Sequence, residues 1–148
     1  MNQTDFENQL IRHEGFKTKM YKCPAGYWTI GVGHNLEVNP ISESAVIQIL
    51  RDDIAIISAD LERAFPVVKK LNKARYYVLL NMAFNLGITR LSGFVKMWQA
   101  VELGYWHIAA KEMLDSKWAV QVGNRATDLS RMMLTGEYHY SLEHNGVK

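Results

Sequence analysis

Cysteine is almost absent from this chain: Cys23 is the only one among 148 residues. No internal disulfide can form, so the fold must be held by its core, and synthesis in a reducing compartment is expected. Long apolar runs are missing too. No stretch reaches the roughly 18 consecutive apolar residues of a membrane-spanning helix. The opening Met-Asn-Gln-Thr-Asp-Phe-Glu-Asn lacks the basic start and apolar stretch of a secretory leader. Charge of one sign is missing: 17 Lys and Arg stand against 15 Asp and Glu, for a net +2. Without a basic run or an arginine-rich arm, nucleic acid is not the expected partner. No two histidines sit at metal-ligand spacing beside an acid, and His139 and His144 fall in the polar tail, so neither metal nor cofactor is expected. There is no internal repeat or low-complexity segment.

What is present suits a folded protein. Hydrophobic residues make up 48% of the chain, enough for a core, and the length fits one domain or two small lobes. Thr4 and Glu7 fit a capping box at the start of a helix whose apolar face carries Phe6, Leu10 and Ile11. Glu14 falls where that helix should stop, because Gly15 follows it. Met20 to Cys23 and Tyr27 to Val32 then read as strands, turned by Pro24 and Gly26. Ser42 is the expected N-cap of a long helix running almost to Phe65, where Pro66 stops it. The apolar pattern changes there, which places a lobe boundary near Phe65. Helices are expected over Lys73 to Leu86, Ser92 to Leu103, Tyr105 to Leu114 and Asn124 to Leu134, with Gly87, Gly104 and Gly136 as stops. The tail from His139 is expected to fray.

Chemistry concentrates between Leu10 and Asn35. A hairpin folded back on a helix end can bring the Glu14 acid, the Cys23 thiol and the Thr29 hydroxyl into one cleft, a constellation for splitting a bond with water. Each residue alone has a plainer reading. Glu14 could be a solvated helix end, Cys23 a small buried hydrophobe, Thr29 a good strand residue and His34 a hydrogen-bonded structural histidine. Asp53, on the polar side of the long helix, could reach His34. Gly31-Val32-Gly33 lacks the strand-turn-helix setting of a dinucleotide loop. Tyr21, Tyr27, Trp28, Trp98, Tyr105, Trp106 and Trp118 form a dense aromatic set; most belong to a core, and one or two on a cleft wall could stack on sugar rings. Asn124-Arg125 opens the last helix, as a cap and surface arginine or as a donor aimed at the Glu14 cleft.

Glu14-Gly15, Tyr21-Lys22 and Gly26-Tyr27-Trp28-Thr29-Ile30-Gly31-Val32-Gly33-His34 strongly resemble the phage-type lysozymes, the endolysins of tailed bacteriophages. The resemblance continues through Asn81-Met82-Ala83-Phe84-Asn85-Leu86-Gly87, Gly93-Phe94, Ser116-Lys117-Trp118 and Asn124-Arg125-Ala126, to about Tyr140. The family signature is Glu, eight residues, Asp or Cys, five residues, Thr; Glu14, Cys23 and Thr29 match that spacing. The resemblance implies an α+β, mostly helical, two-lobed lysozyme-like fold: a small β-hairpin lobe and a larger helical lobe joined by a long helix. It implies one such domain over 1–148, with sub-lobes at about 12–64 and at about 65–148, the latter packed with 1–11. It further implies hydrolysis of the β-1,4 bond between N-acetylmuramic acid and N-acetylglucosamine in peptidoglycan. Glu14 would be the general acid, Cys23 would stand where an aspartate is usual, and Thr29 would hold the attacking water. Tyr27, Asn35, Phe84, Asn85 and Arg125 would meet substrate, Arg125 also contacting the glutamate, and His34 with Asp53 would form a structural pair. A monomer that accumulates in the host cytoplasm and leaves through a holin pore to reach the wall is the corresponding expectation.

The Cys23 thiol leaves the second catalytic role open, since a thiol of ordinary pKa ~8.5 is only a few per cent ionised at pH 7. A cysteine peptidase or amidase using Cys23 with His34 or His13 would release amino groups from the wall, where a muramidase releases reducing sugars. A non-catalytic binding module would bind without turnover.

Overall fold

The computed structural model describes residues 3–138, and the tail from His139 lies outside them. The elements run α1 (Gln3–Glu14), β1 (Lys17–Lys22), β2 (Trp28–Gly31), β3 (His34–Asn35), α2 (Glu43–Ala64), a 3-10 turn (Pro66–Lys70), α3 (Lys73–Leu86), α4 (Ile88–Ser92), α5 (Val95–Leu103), α6 (Trp106–Leu114), α7 (Lys117–Val122) and α8 (Asn124–Thr135). The fold is therefore mostly helical, with one small antiparallel sheet in the order β1-β2-β3. Among the described residues no helix is long and apolar enough to cross a membrane. The chain divides into two compact units at Leu50/Arg51.

In the first unit, helix α1 already includes Gln3, so Thr4 sits inside its first turn rather than at the cap. The strand pairs are Lys22 with Trp28, Tyr21 with Thr29, Thr29 with Asn35 and Ile30 with His34. The ladder is irregular between Lys17 and Tyr21. β3 is only two residues long, so side chains and loop amides finish its edge. The Leu36 amide donates to the Trp28 carbonyl at 2.8 Å, and the Trp28 amide donates to the Glu37 carboxylate at 2.6 Å. Asn35 Oδ1 accepts from the amides of Glu37 (3.0 Å) and Val38 (3.3 Å), an Asx turn that folds the following loop back. Ser42 caps α2 as its position suggests: its hydroxyl accepts from the Ala45 amide at 3.2 Å.

The second unit holds the core. Leu61, Val68, Val78, Leu79, Met82, Leu91, Met97, Met113 and Met133 have no exposed surface. Five of the seven methionines, counting Met132, are buried; unbranched thioethers fill the irregular gaps between short helices. Phe65 stacks on Trp98 with centroids 3.8 Å apart, and Phe94 meets Trp118 edge-on at 6.2 Å. Helix α3 occupies the expected span and stops at Gly87, whose φ of +80° suits glycine and whose amide donates to the Ala83 carbonyl. The helix expected over Ser92 to Leu103 begins only at Val95, as α5, and Ile88–Ser92 forms a separate short helix, α4, before Gly93-Phe94.

Polar contacts close this unit's edges. Ser58, Glu62 and Tyr76 form one network: the Tyr76 hydroxyl lies 2.5 Å from Ser58 Oγ and donates to Glu62 Oε2 at 3.0 Å. Burial pushes the Tyr76 phenol up. Arg75 ties α3 to the end of α8, donating from Nε to the Met133 carbonyl (2.8 Å) and from Nη2 to the Leu134 carbonyl (3.1 Å) while lying over the Trp106 ring. Those carbonyls belong to the last turn of a helix, where intrahelical donors run out. Lysine cannot reproduce the planar fork or the stacking. Arg75→Lys is expected to cost about 1–3 kcal/mol in chemical denaturation, by leaving helix-end acceptors unpaired and weakening the cation–π contact.

Candidate active site

Each site residue is set by a local rule. Helix α1 ends at Glu14 because Gly15, at φ +87°, turns the chain out of the helix while its amide closes on the Ile11 carbonyl at 2.8 Å. The Glu14 side chain is exposed and lies against the β2–β3 turn. A Cβ placed on Gly33 would stand 2.8 Å from Glu14 Oε2 and 3.2 Å from its carboxyl carbon. Gly33, at φ +68°, therefore serves both the turn and the close approach of the carboxylate.

Cys23 and Thr29 face each other across the β1–β2 connection. The Gly26 amide donates to the Cys23 carbonyl (2.8 Å) and the Cys23 amide to the Tyr27 carbonyl (2.9 Å). Thr29, only 2% exposed, donates its hydroxyl to the same Tyr27 carbonyl at 2.9 Å. The half-buried Cys23 thiol is held below its ordinary value, chiefly by a backbone hydrogen bond from Tyr27. Partial desolvation opposes this, and the Ala25 amide adds to it.

Tyr27 is exposed, and the neighbouring Trp28 ring lies under the Lys22 ammonium at 5.0 Å. The side-chain oxygen of Asn35, expected to meet substrate, is engaged in the Asx turn. His34 Nε2 lies 3.2 Å from the Asn39 carbonyl.

Asp53, Phe84, Asn85 and Arg125 belong to the second unit, with Asp53 exposed on α2. Phe84 is exposed on α3, and Asn85 Oδ1 accepts the Trp118 indole N–H at 2.8 Å. Arg125 Nε donates to Asn81 Oδ1 at 2.8 Å, and burial draws its guanidinium down. Asn81 was not singled out from the sequence as a functional residue, although it stands four residues before Asn85 on one helical face. A groove of about 560 Å³ opens beside Trp118, with Phe94 on its wall and Lys96 and Glu112 among its charged groups. Among the described residues, no three His, Cys, Asp or Glu side chains gather in a way that could hold a metal ion.

The first unit carries an acid at a helix end and a thiol and hydroxyl beside one carbonyl, and the second carries an exposed aromatic-amide face on α3. Such parts suit acid-assisted hydrolysis of a polar polymer. Comparison with known proteins agrees. The family model for phage lysozyme matches residues 11–132. The chain is 30% identical to the pre-baseplate central spike protein Gp5 of Enterobacteria phage T4 over 94% of its own length, although it spans only 28% of that protein. It is 25% identical to the probable T4-type lysozyme 1 of Dictyostelium discoideum, covering 90% of this chain and 95% of that one. It is 30% identical to an endolysin of Acyrthosiphon pisum secondary endosymbiont phage 1, with 81% of this chain and 82% of that one aligned. By these matches the chain belongs to the phage lysozyme family, and it is a lysozyme.

Proposed function

We propose that the protein is an endolysin that hydrolyses the β-1,4 bond between N-acetylmuramic acid and N-acetylglucosamine in bacterial peptidoglycan, acting as a single lysozyme-like domain. The observation that carries the reading is the pairing of a glutamate at a glycine-stopped helix end with a thiol–hydroxyl cluster at the family's spacing. Glu14 protonates the leaving oxygen. A water held by Thr29 attacks the anomeric carbon from the opposite face, and Cys23 as thiolate accepts the proton that water loses. Direct attack by water inverts the anomeric centre, whereas a covalent sugar–sulfur intermediate would retain it. Tyr27, Asn35, Phe84, Asn85 and Arg125 are the proposed substrate contacts, and His34 with Asp53 a structural pair. Lysis of the host for phage release, with holin-dependent access to the wall from the cytoplasm, is the corresponding biological role, carried out as a monomer.

The deciding assay incubates the protein with purified peptidoglycan and identifies the new chain ends. Reducing N-acetylmuramic acid ends are expected, and new amino groups or no product would overturn the assignment. Glu14→Gln keeps the shape and removes the proton donor. It should cost roughly two to four decades in rate, with little change in melting because the side chain is exposed.

Gly33→Ala tests the same acid from its neighbour. The added Cβ would displace the Glu14 carboxylate, the flexible end of its side chain, and φ of +68° adds strain. Stability should fall by about 1–2 kcal/mol, while misplacement of the acid should lower kcat by roughly 10- to 100-fold. Unchanged kcat in the folded variant would remove Gly33 from the site.

Cys23 variants separate base from spectator. Cys23→Asp supplies a carboxylate ionised at neutral pH and should stay active. Cys23→Ser and Cys23→Ala should lose much of the rate. Normal activity in both would leave Glu14 and Thr29 sufficient, and products of retained configuration would make sulfur a nucleophile.

A further inference from the structure

One peptide unit joins the thiol–hydroxyl cluster to the loop after β3. The carbonyl of Tyr27 accepts two donors, the Cys23 amide at 2.9 Å and the Thr29 hydroxyl at 2.9 Å. The amide of the same unit, Trp28 N–H, donates to Glu37 Oε2 at 2.6 Å. A peptide unit is planar, so fixing its N–H end fixes the direction of its C=O end. A short bond from N–H to a charged carboxylate also polarises the amide, making its carbonyl a stronger acceptor. β3 is only two residues long, and the loop after it gives the Trp28 carbonyl a donor, the Leu36 amide, and the Trp28 N–H an acceptor, the Glu37 carboxylate. Glu37 is itself set by the Asx turn, where Asn35 Oδ1 receives the Glu37 amide at 3.0 Å.

We infer that Glu37 is a positioning residue for the lysozyme reaction: through the Tyr27–Trp28 peptide unit it orients the carbonyl on which Cys23 and Thr29 are both hung. Glu37 touches neither the proposed reacting atoms nor the substrate. Its effect reaches Thr29 through the acceptor of the Thr29 hydroxyl, and reaches Cys23 through that residue's own amide, which donates to the same carbonyl. The inference rests on the catalytic reading of Cys23 and Thr29 for its consequence in turnover, but not for its structural content.

The test compares wild type, Glu37→Gln and Glu37→Ala. The amide oxygen of glutamine can still accept the Trp28 N–H; alanine cannot. Each protein is assayed for kcat and KM on solubilised peptidoglycan, for melting temperature, and for the pH midpoint of Cys23 alkylation by iodoacetamide, which is selective because the chain has one thiol. Glu37→Ala is expected to lower kcat about tenfold, as small misplacements at a site do, with KM within about twofold and an alkylation midpoint displaced from the wild-type value. Glu37→Gln should stay within about threefold of wild-type kcat and keep the wild-type midpoint. Because Glu37 is exposed, melting should change little in either variant. Wild-type kcat and midpoint in Glu37→Ala would overturn the inference, as would Glu37→Gln behaving like alanine. A fall in kcat with an unmoved midpoint would also overturn it, since the effect would then bypass the Tyr27–Trp28 peptide. If Cys23→Ala proved fully active, the catalytic reading of the thiol would fail, while the alkylation midpoints would still report whether Glu37 holds this peptide.

Discussion

Helix α3 has a face that cannot stay in water, and the larger unit is arranged around it. Ala74, Val78, Leu79, Met82 and Ala83 are buried, at the spacing of one helical stripe. Removing a leucine or methionine side chain from water contributes about 1.5–3 kcal/mol each. Once that stripe faces inward, the opposite one is decided. Tyr77, Asn81, Phe84 and Asn85 must point out, and all four are exposed. The outward stripe is the one that Arg125 and Trp118 reach with their donors, closing on Asn81 and Asn85. The exposure of Asn81, Phe84 and Asn85 is thus a consequence of burial on the other side of the same helix. The short helices α4 to α8 supply the remaining walls of the core, with methionines where no rigid side chain would fill the space.

The smaller unit works under a different rule. Among its described residues only Thr29 is buried. With little apolar burial inside it, its geometry depends on directed hydrogen bonds and on glycines that permit left-handed backbone. Gly15 ends α1, Gly26 turns β1 into β2, and Gly33 makes room for Glu14. Most of these bonds involve backbone groups, which vary little with side-chain identity. This leaves the side chains of Glu14, Cys23 and Thr29 available for chemistry.

How much of this was legible in the sequence follows from the range of each signal. The span of α3 could be read directly, because the apolar run and Gly87 are local to the helix. The cap of α2 at Ser42 and its end before Pro66 were legible for the same reason. Helices α4 and α7, at five and six residues, are shorter than two turns and carry no usable periodicity. β3, with two residues, is defined only by its partner strand. In the candidate site, Glu14, Cys23 and Thr29 are proposed because their spacing matches a family pattern, not because any one of them announces chemistry. Asn81 and Glu37 left no such mark. Asn81 is bound by an arginine 44 positions later, and Glu37 by a backbone amide nine positions earlier. A backbone partner has no sequence identity to search for, so such a contact becomes visible only once the strands are paired.

The single hydroxyl proton of Thr29 sets the last constraint. It has two neighbouring acceptors, the Tyr27 carbonyl and the Cys23 sulfur, and can satisfy one at a time. In the proposed hydrolysis a water must present a lone pair to the anomeric carbon, so both its protons need acceptors elsewhere. With the Thr29 proton on the Tyr27 carbonyl, the Thr29 oxygen keeps lone pairs for one water proton, and an ionised Cys23 takes the other. Were the Thr29 proton on sulfur instead, it would compete with the water for the thiolate. The carbonyl that draws this proton away from Cys23 is therefore as much a condition of the chemistry as the thiolate itself. In the proposed reaction, a well-aimed acceptor at Tyr27 would leave the sulfur's negative charge for the water.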